Sequence, residues 1–383
     1  MELDRFDRVA DVLARGVPPE PVYCLYPAIY RRVASAFRAG FPGRVLYAIK
    51  ANDHPMVLRS LYEGGIRDFD CASLAEIEAV RSHCPEATPF FMIPVRRRGA
   101  AATAFREFGV RHFMVDQDEG LDALAKEIEL TDSVVFVRVT AHHVSASQDL
   151  SSKFGARPAE AVTLLRKVAR RGAEPALACN VGSSVLDPAA YAHAVGVTAD
   201  VLAEAEIAVR LVDVGGGFPR PYPGFDVPPL DAYFEAIESA IGELPPAPGR
   251  EWLCEPGRAL AAPGMGALVE VLARKDDRLY LNDGMYGVFW ELRFGMQGRY
   301  AARCWRGGAV HEGENLPFTL FGPTCDSTDV LPAAVPLPND VRPGDVLEFG
   351  QLGAYSLSGR TDFNGLMSRR VVLIEGAEEV PPA

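Results

Sequence analysis

Between about residue 24 and residue 245, short apolar runs alternate with longer stretches whose apolar positions recur at helical spacing. The runs at 45–49, 68–71, 90–93, 112–115, 134–139, 176–181 and 211–214 read as buried strands, and 74–82, 119–128, 158–170, 187–205 and 230–241 read as helices between them. A weaker run near Leu253 offers an eighth strand. Seven strands and one weak extra fit an eight-stranded (β/α) barrel of the TIM type better than an open dinucleotide-binding sheet, and no G-x-G-x-x-G follows the first strand. After residue 247 the pattern changes to short strands rich in aromatic residues, Gly and Pro, at 267–274, 278–281, 301–305, 316–321, 346–349 and 370–374. These predict an antiparallel β domain. The expected division is a cofactor-binding barrel over 24–247 and a β-rich domain made from 1–23 and 248–383, with 255–258 at the junction. The acidic, Pro-rich tail 375–383 is expected to fray, and the chain has no internal repeat.

Composition narrows the function classes. With 383 residues, 48% of them hydrophobic and 23% charged, the chain has ordinary globular composition and enough length for a large core. A net charge of -12 leaves no broad basic surface for nucleic acid or anionic membrane, and the cluster Arg96, Arg97 and Arg98 reads as a solvated loop. The first residues are acidic and no apolar run reaches membrane-spanning length, so a cytoplasmic protein is expected. Seven cysteines, at 24, 71, 84, 179, 254, 304 and 325, form no C-x-x-C pair. They predict free thiols in a reducing compartment rather than a disulfide framework or a zinc site. The histidines have no metal-ligand spacing, and the adjacent His142 and His143 would face opposite ways on a strand. No metal is expected.

In such a barrel the chemistry sits at the C-terminal ends of the strands. Lys50 closes the first strand, Asp70 the second, Arg138 the fifth and Asn180 the sixth, while Gly215 follows the seventh. Burial of an ammonium favours the neutral amine that attacks a carbonyl, so Lys50 is a Schiff-base candidate; a lysine whose head snorkels to solvent is the plainer alternative. Gly215, Gly216 and Gly217 after an apolar strand let consecutive amides close on a phosphate, or simply make a tight turn. Glu255, followed by Pro256, Gly257 and Arg258, is a carboxylate able to keep a pyridinium nitrogen protonated, or one half of a structural ion pair. Cys325 beside Asp326 offers a proton donor and an anion for a substrate ammonium, although a buried structural thiol is the commoner fate. The Tyr355 hydroxyl can reach a phosphate or a ring.

Five motifs in one order carry a resemblance: Tyr-Ala-Ile-Lys-Ala-Asn from 47, Asp-Cys-Ala-Ser from 70, Gly-Gly-Gly-Phe-Pro from 215, Glu-Pro-Gly-Arg from 255 and Cys-Asp from 325. Over residues 23–374 the chain resembles the fold-type-III decarboxylases that use pyridoxal 5'-phosphate, the alanine-racemase-like group of ornithine, lysine, arginine and diaminopimelate decarboxylases. The segments from Ser152 to Gly155 and from Phe363 to Gly365 are similar to the ornithine branch. The resemblance implies that Lys50 carries the cofactor, that Glu255 binds its ring nitrogen, that Ser183, Gly215, Gly216, Gly217, Arg258 and Tyr355 hold its phosphate, and that Gly257 and Asn180 also fall at cofactor-binding positions. It also implies that Asp70, Glu76 and Arg138 order the lysine and the ring's surroundings. Tyr286 and Asp326 fall at substrate-contact positions. It further implies a head-to-tail homodimer in which Cys325 and Asp326 serve the partner's cofactor, so that an isolated monomer is inactive.

Two departures stand out. Asn180 occupies the position where the family has a ring-stacking histidine. After Tyr286, the position of the aspartate that binds the distal substrate ammonium is Gly295. Glu291 is then the substitute anion, whereas Arg293 favours a substrate with a neutral or acidic far end, or simply points to solvent. The expected reaction is α-decarboxylation of an ornithine- or lysine-like amino acid, or of a modified diamino acid, to an amine and carbon dioxide, in polyamine or specialised metabolism. An amino-acid racemase on the same fold and a non-catalytic decarboxylase-like regulator are the alternatives.

Overall fold

A computed structural model describes residues 3–141, 146–148, 153–244, 247–294 and 300–376. His142, His143, Ser152, Gly295 and the tail from 377 onward lie outside the described residues. The chain divides into two compact units, one of Ala34–Pro219 and Val227–Gly257, the other of Met1–Val33, Arg220–Asp226 and Arg258–Ala383.

The first unit is a closed parallel barrel. Its strands run, in chain order, Arg44–Ala48, Asp68–Cys71, Thr88–Phe91, His112–Val115, Val134–Thr140, Glu174–Asn180, Leu211–Asp213 and Glu251–Cys254, each beside the next, and the eighth closes on the first. The eighth strand, only weakly signalled in the sequence, lies past the boundary expected at residue 247, and the barrel unit extends to Gly257. At the other end, the barrel unit starts at Ala34 rather than at the expected residue 24, and Val22–Leu25 is a strand that pairs with Met265–Lys275 in the second unit. A buried strand does not reveal by composition which sheet it joins.

Alternate residues of each strand share a face. The inward positions form three levels. Arg44, Asp68, His112, Glu174 and Glu251 stand at the strand starts. Leu46, Phe90, Met114, Phe136, Leu211 and Leu253 fill the middle as one buried cluster. Asp70, Arg138, Asn180 and Asp213 come at the ends. The starting level is a linked set of ion pairs: Arg44 bonds Asp68 at 2.6 Å and Glu251 at 3.4 Å, and Arg210 bonds Glu251 at 3.1 Å and Glu174 at 2.9 Å. That level closes the N-terminal mouth with charge, so the polar groups at the opposite mouth are the ones left for chemistry.

The second unit is a ten-stranded sheet. Met265–Lys275 is its hub, antiparallel to Val22–Leu25, Arg278–Leu281 and Val346–Phe349. It is not purely antiparallel. Asp4–Phe6 and Val22–Leu25 run parallel to Val371–Ile374, and Arg278–Leu281 runs parallel to Asn315–Phe321. Parallel neighbours need long connections, and these pairs are far apart in sequence, which local turn signals cannot disclose. Phe6, Val12, Cys24, Leu268, Trp305 and Val372 belong to its core. Among the described residues no helix is long and apolar enough to cross a membrane.

Candidate active site

The first strand ends at Ala48, and Lys50 lies in the tight turn Ile49–Ala51 that follows. Its Nζ donates to Asp70 Oδ2 at 3.3 Å, with Asp70 buried and the lysine side chain 52% exposed. The amine is therefore held by a carboxylate at the rim, and the burial expected from the apolar run is not what the structure provides. Glu76 stands behind Asp70. It accepts from the Ala72 amide at 2.5 Å, in a helix start capped by Ser73. Burial first, then the charge of Asp70, pushes its carboxyl above the usual range.

Arg138 projects from the fifth strand with its Cζ 5.7 Å from the centre of the Phe154 ring. Asn180, at the end of the sixth, is half-buried, and its Oδ1 accepts from the Gly182 amide at 2.9 Å. The carboxamide thus closes the turn leading into Ser183–Val185, a short strand antiparallel to Ala146–Gln148 that carries Ser183.

The glycine loop is shaped by backbone contacts. A Cβ on Gly215 would meet the Cys179 carbonyl at 2.4 Å, and one on Gly216 the Glu255 carbonyl at 2.6 Å. Gly217 has φ +98°, and a Cβ there would lie 2.8 Å from the Gly182 carbonyl. Only glycine lets the seventh-strand loop pass this close to its neighbours. Tyr191 donates to the Gly216 carbonyl at 2.8 Å, Tyr233 to that of Val185 at 2.7 Å, and the Val185 amide to Gly217 at 3.0 Å. No acceptor among the described residues takes the amides of Gly216 or Gly217.

Glu255 follows the eighth strand, buried, with its amide on the Gly215 carbonyl at 2.9 Å. Gly257 is buried in the same loop. Beside Glu255 is Asp213, fully buried, with Oδ1 accepting from the Gly215 amide at 2.7 Å. Asp213 Oδ2 and Glu255 Oε1 are buried with no donor among the described residues. Burial, then the neighbouring carboxylates, raises Glu255 well above the carboxylate range. The Asp213 carboxyl is pushed up, to about 7, mainly by burial.

The second unit holds the other predicted residues. Arg258 and Glu291 form a bidentate pair, Nη1 to Oε2 at 2.8 Å and Nη2 to Oε1, with side chains 4% and 3% exposed. Tyr300 donates to Glu291 at 3.4 Å, and Arg258 Cζ lies 5.4 Å from the Tyr355 ring. Tyr355 itself has φ +62°, a strained conformation for a tyrosine. This corrects one expectation: Glu291 does not offer its carboxylate to a substrate, because the short helix Trp290–Phe294 turns it inward onto a buried guanidinium. Arg293, on the same helix, is exposed and lies 3.9 Å from the centre of the Tyr286 ring. Phe363 stacks on Tyr286 at 4.4 Å, and the Tyr286 hydroxyl donates to Asp326. That bond, first, and those from Thr328 hold the Asp326 carboxyl below the usual range.

Cys325 is exposed, and its amide donates to Asn364 Oδ1 at 3.3 Å. The loop that presents it is tied down by Asp329, which is buried and accepts from Met285 N at 2.7 Å, Thr324 N at 3.1 Å and Thr324 Oγ1 at 2.7 Å. The sequence reading did not single out Asp329, Tyr191, Tyr233 or Asp213. Asp213 alone had a signal, a carboxylate two residues before a glycine triplet.

The barrel unit has the parts that pyridoxal phosphate requires: an amine at the rim, a buried carboxylate oxygen wanting an N–H donor, and glycine amides wanting an acceptor. The pyridoxal-binding domain of the pyridoxal-dependent decarboxylases matches residues 27–262, and the chain belongs to that family. The lysine/ornithine decarboxylase of Selenomonas ruminantium is 33% identical over 88% of this chain and 84% of its own length. The solved lysine/ornithine decarboxylase of Vibrio vulnificus, complexed with putrescine, superposes with a TM-score of 0.82 at 28% identity, covering 95% of this chain and 96% of that one. The arginine decarboxylase of Paramecium bursaria Chlorella virus, bound to agmatine, gives 0.86 at 25% identity, covering 96% and 99%.

Proposed function

We propose that this chain removes the α-carboxyl group of an ornithine- or lysine-like amino acid as carbon dioxide, leaving an amine. The observation that carries the reading is the rim of the barrel, where Lys50 is held by Asp70 and Glu255 has a buried oxygen with no donor. Bound pyridoxal phosphate supplies an electron sink for the bond broken at Cα. Lys50 provides the amine that holds the cofactor's aldehyde carbon, Asp70 orients that amine, and Glu255 accepts from the ring nitrogen. The amides of Gly216 and Gly217, with Ser183, take the phosphate. Arg258 is a weaker phosphate candidate than the resemblance implied, since Glu291 already takes both of its terminal nitrogens.

Cys325 Sγ returns the proton to Cα, and its exposure on a tethered loop suits service to a second copy in a head-to-tail homodimer. Seven free cysteines among the described residues accord with a reducing cytoplasm. Purified protein should absorb near the visible edge and release carbon dioxide from ornithine or lysine, and Lys50→Ala should abolish both. A colourless protein that cannot be reconstituted would point to the non-catalytic regulator. Exchange of the Cα hydrogen without loss of carbon dioxide would point to a racemase.

A second substrate reading has its own support. With Glu291 turned inward, the exposed charge of the helix Trp290–Phe294 is Arg293, and Asp326 is already bonded to Tyr286 and Thr328. That surface suits a diamino acid whose far end is neutral or acidic. Carbon dioxide release measured across ornithine, lysine, arginine, diaminopimelate and acylated relatives decides between the readings; preference for an acylated or carboxylated end supports the second.

A further inference from the structure

The pairing of Asp213 with Glu255 has no role in the scheme above. The seventh and eighth strands are parallel neighbours with Asp213 opposite Leu253, so Glu255, two residues further on, follows on the same inward side of the adjoining strand. Gly215 links them: its carbonyl accepts from the Glu255 amide at 2.9 Å and its amide donates to Asp213 Oδ1 at 2.7 Å. Each has one buried oxygen that no donor among the described residues satisfies, while Asp213 Oδ1 is already committed to the Gly215 amide. Two acceptors facing each other without a proton are a poor arrangement in a buried site. One proton between them removes the conflict.

The surrounding charges lead to the same count. Facing the pair are Asp70 from the second strand, Lys50 after the first, Arg138 from the fifth, and the thiols of Cys179 and Cys254 from the sixth and eighth. Burial first, then the nearby carboxylates, holds both thiols protonated. Three carboxylates, Asp70, Asp213 and Glu255, therefore stand against two cations, Lys50 and Arg138. The excess is one negative charge, which one bound proton cancels.

We propose that Asp213 is a positioning residue that acts through Glu255: one proton held between the two carboxyl groups fixes the orientation of Glu255 before the cofactor binds and sets the pH range in which the same buried oxygen is released to accept a ring N–H. This rests on Glu255 being the acceptor for the cofactor's ring nitrogen. That nitrogen brings its own proton. The shared proton stays between Asp213 and Glu255 at low pH and leaves to solvent at high pH, so cofactor binding is linked to its loss. The pattern belongs to these two residues and needs no substrate.

The test is the dissociation constant of pyridoxal phosphate for the apo-protein, followed by absorbance from pH 6 to pH 8 in wild type and Asp213→Asn. The asparagine amide donates to Glu255 at every pH, which removes the titration and keeps the shape. A proton affinity displaced by about one unit on binding changes the wild-type constant about tenfold across this range. The variant should change by less than about twofold on the same scale. Should the asparagine variant not fold, Asp213→Ser removes the carboxyl and gives the same comparison. Parallel profiles for wild type and variant would overturn the proposal. Failure of the wild type to bind the cofactor at any pH would overturn the Glu255 reading itself, and the role of Asp213 with it.

Discussion

At the scale of single residues, Glu291 changes most between sequence and structure. A glutamate next to an aromatic residue, near the position of a missing substrate-binding aspartate, reads as its replacement. The fold instead commits both its oxygens to Arg258, with Tyr300 behind it and almost no exposure. A buried pair of this kind is costly to break from one side, because the remaining charge stays buried and uncompensated. Glu291→Ala is expected to lower the unfolding free energy by about 3–5 kcal/mol, measured by denaturant titration, with the substrate KM unchanged. A raised KM without loss of stability would return Glu291 to the substrate. Asn180 is a smaller case of the same kind, a side chain whose acceptor oxygen is spent on its own turn rather than on a ligand.

Among the elements, the loop from Gly322 to Asp329 shows how Cys325, the proposed proton donor, is held without being buried. Asp329 binds two points of that loop and the Met285 amide, and a Cβ on either Gly284 or Gly322 would lie 2.3 Å from its Oδ1. Asp329→Ala should therefore leave the cofactor's absorbance intact while lowering kcat by about tenfold to a hundredfold, since a displacement of an ångström at a proton donor is enough for such a loss. Equal loss of absorbance and kcat would show that the loop does more than hold Cys325. Legibility in the sequence follows the same division. Lys50, Asp70 and the glycine triplet were readable because each closes or follows a strand with a strong apolar run, and Glu255, after a weaker one, because Pro256, Gly257 and Arg258 follow it. Asp329 and Tyr191 were not, because the Met285 amide and the Gly216 carbonyl that they bind are distant backbone atoms and nothing local marks an aspartate or a tyrosine as a tether. The barrel strands were readable from their runs, whereas the parallel pairing of Val22–Leu25 with Val371–Ile374 depends on chain ends that meet only in the folded state.

Across the whole barrel, polar residues occupy both mouths, with opposite consequences for acid stability. The catalytic mouth concentrates carboxylates, while the closed mouth holds His112 stacked on Phe90 at 3.9 Å, near Arg44 and Arg210. Its Nδ1 is buried with no partner among the described residues. Burial first, then the two guanidinium groups, pushes the imidazole down from 6.5 to about 4. The folded-state value lies below the unfolded one, so between those two values the unfolded chain binds the extra proton. Stability from this residue is complete above pH 6.5 and is lost as pH falls toward 4. At pH 5 the loss is about 2 kcal/mol, from about 1.4 kcal/mol per pH unit below the unfolded value. His112→Phe keeps the stack and has nothing to protonate. Its unfolding free energy should therefore fall about 2 kcal/mol less than that of the wild type between pH 7 and pH 5, by denaturant titration at the two pH values. An unchanged difference would mean that the imidazole is protonated in the folded barrel, with the ring of ion pairs around Glu174 and Glu251 rearranged to accept it.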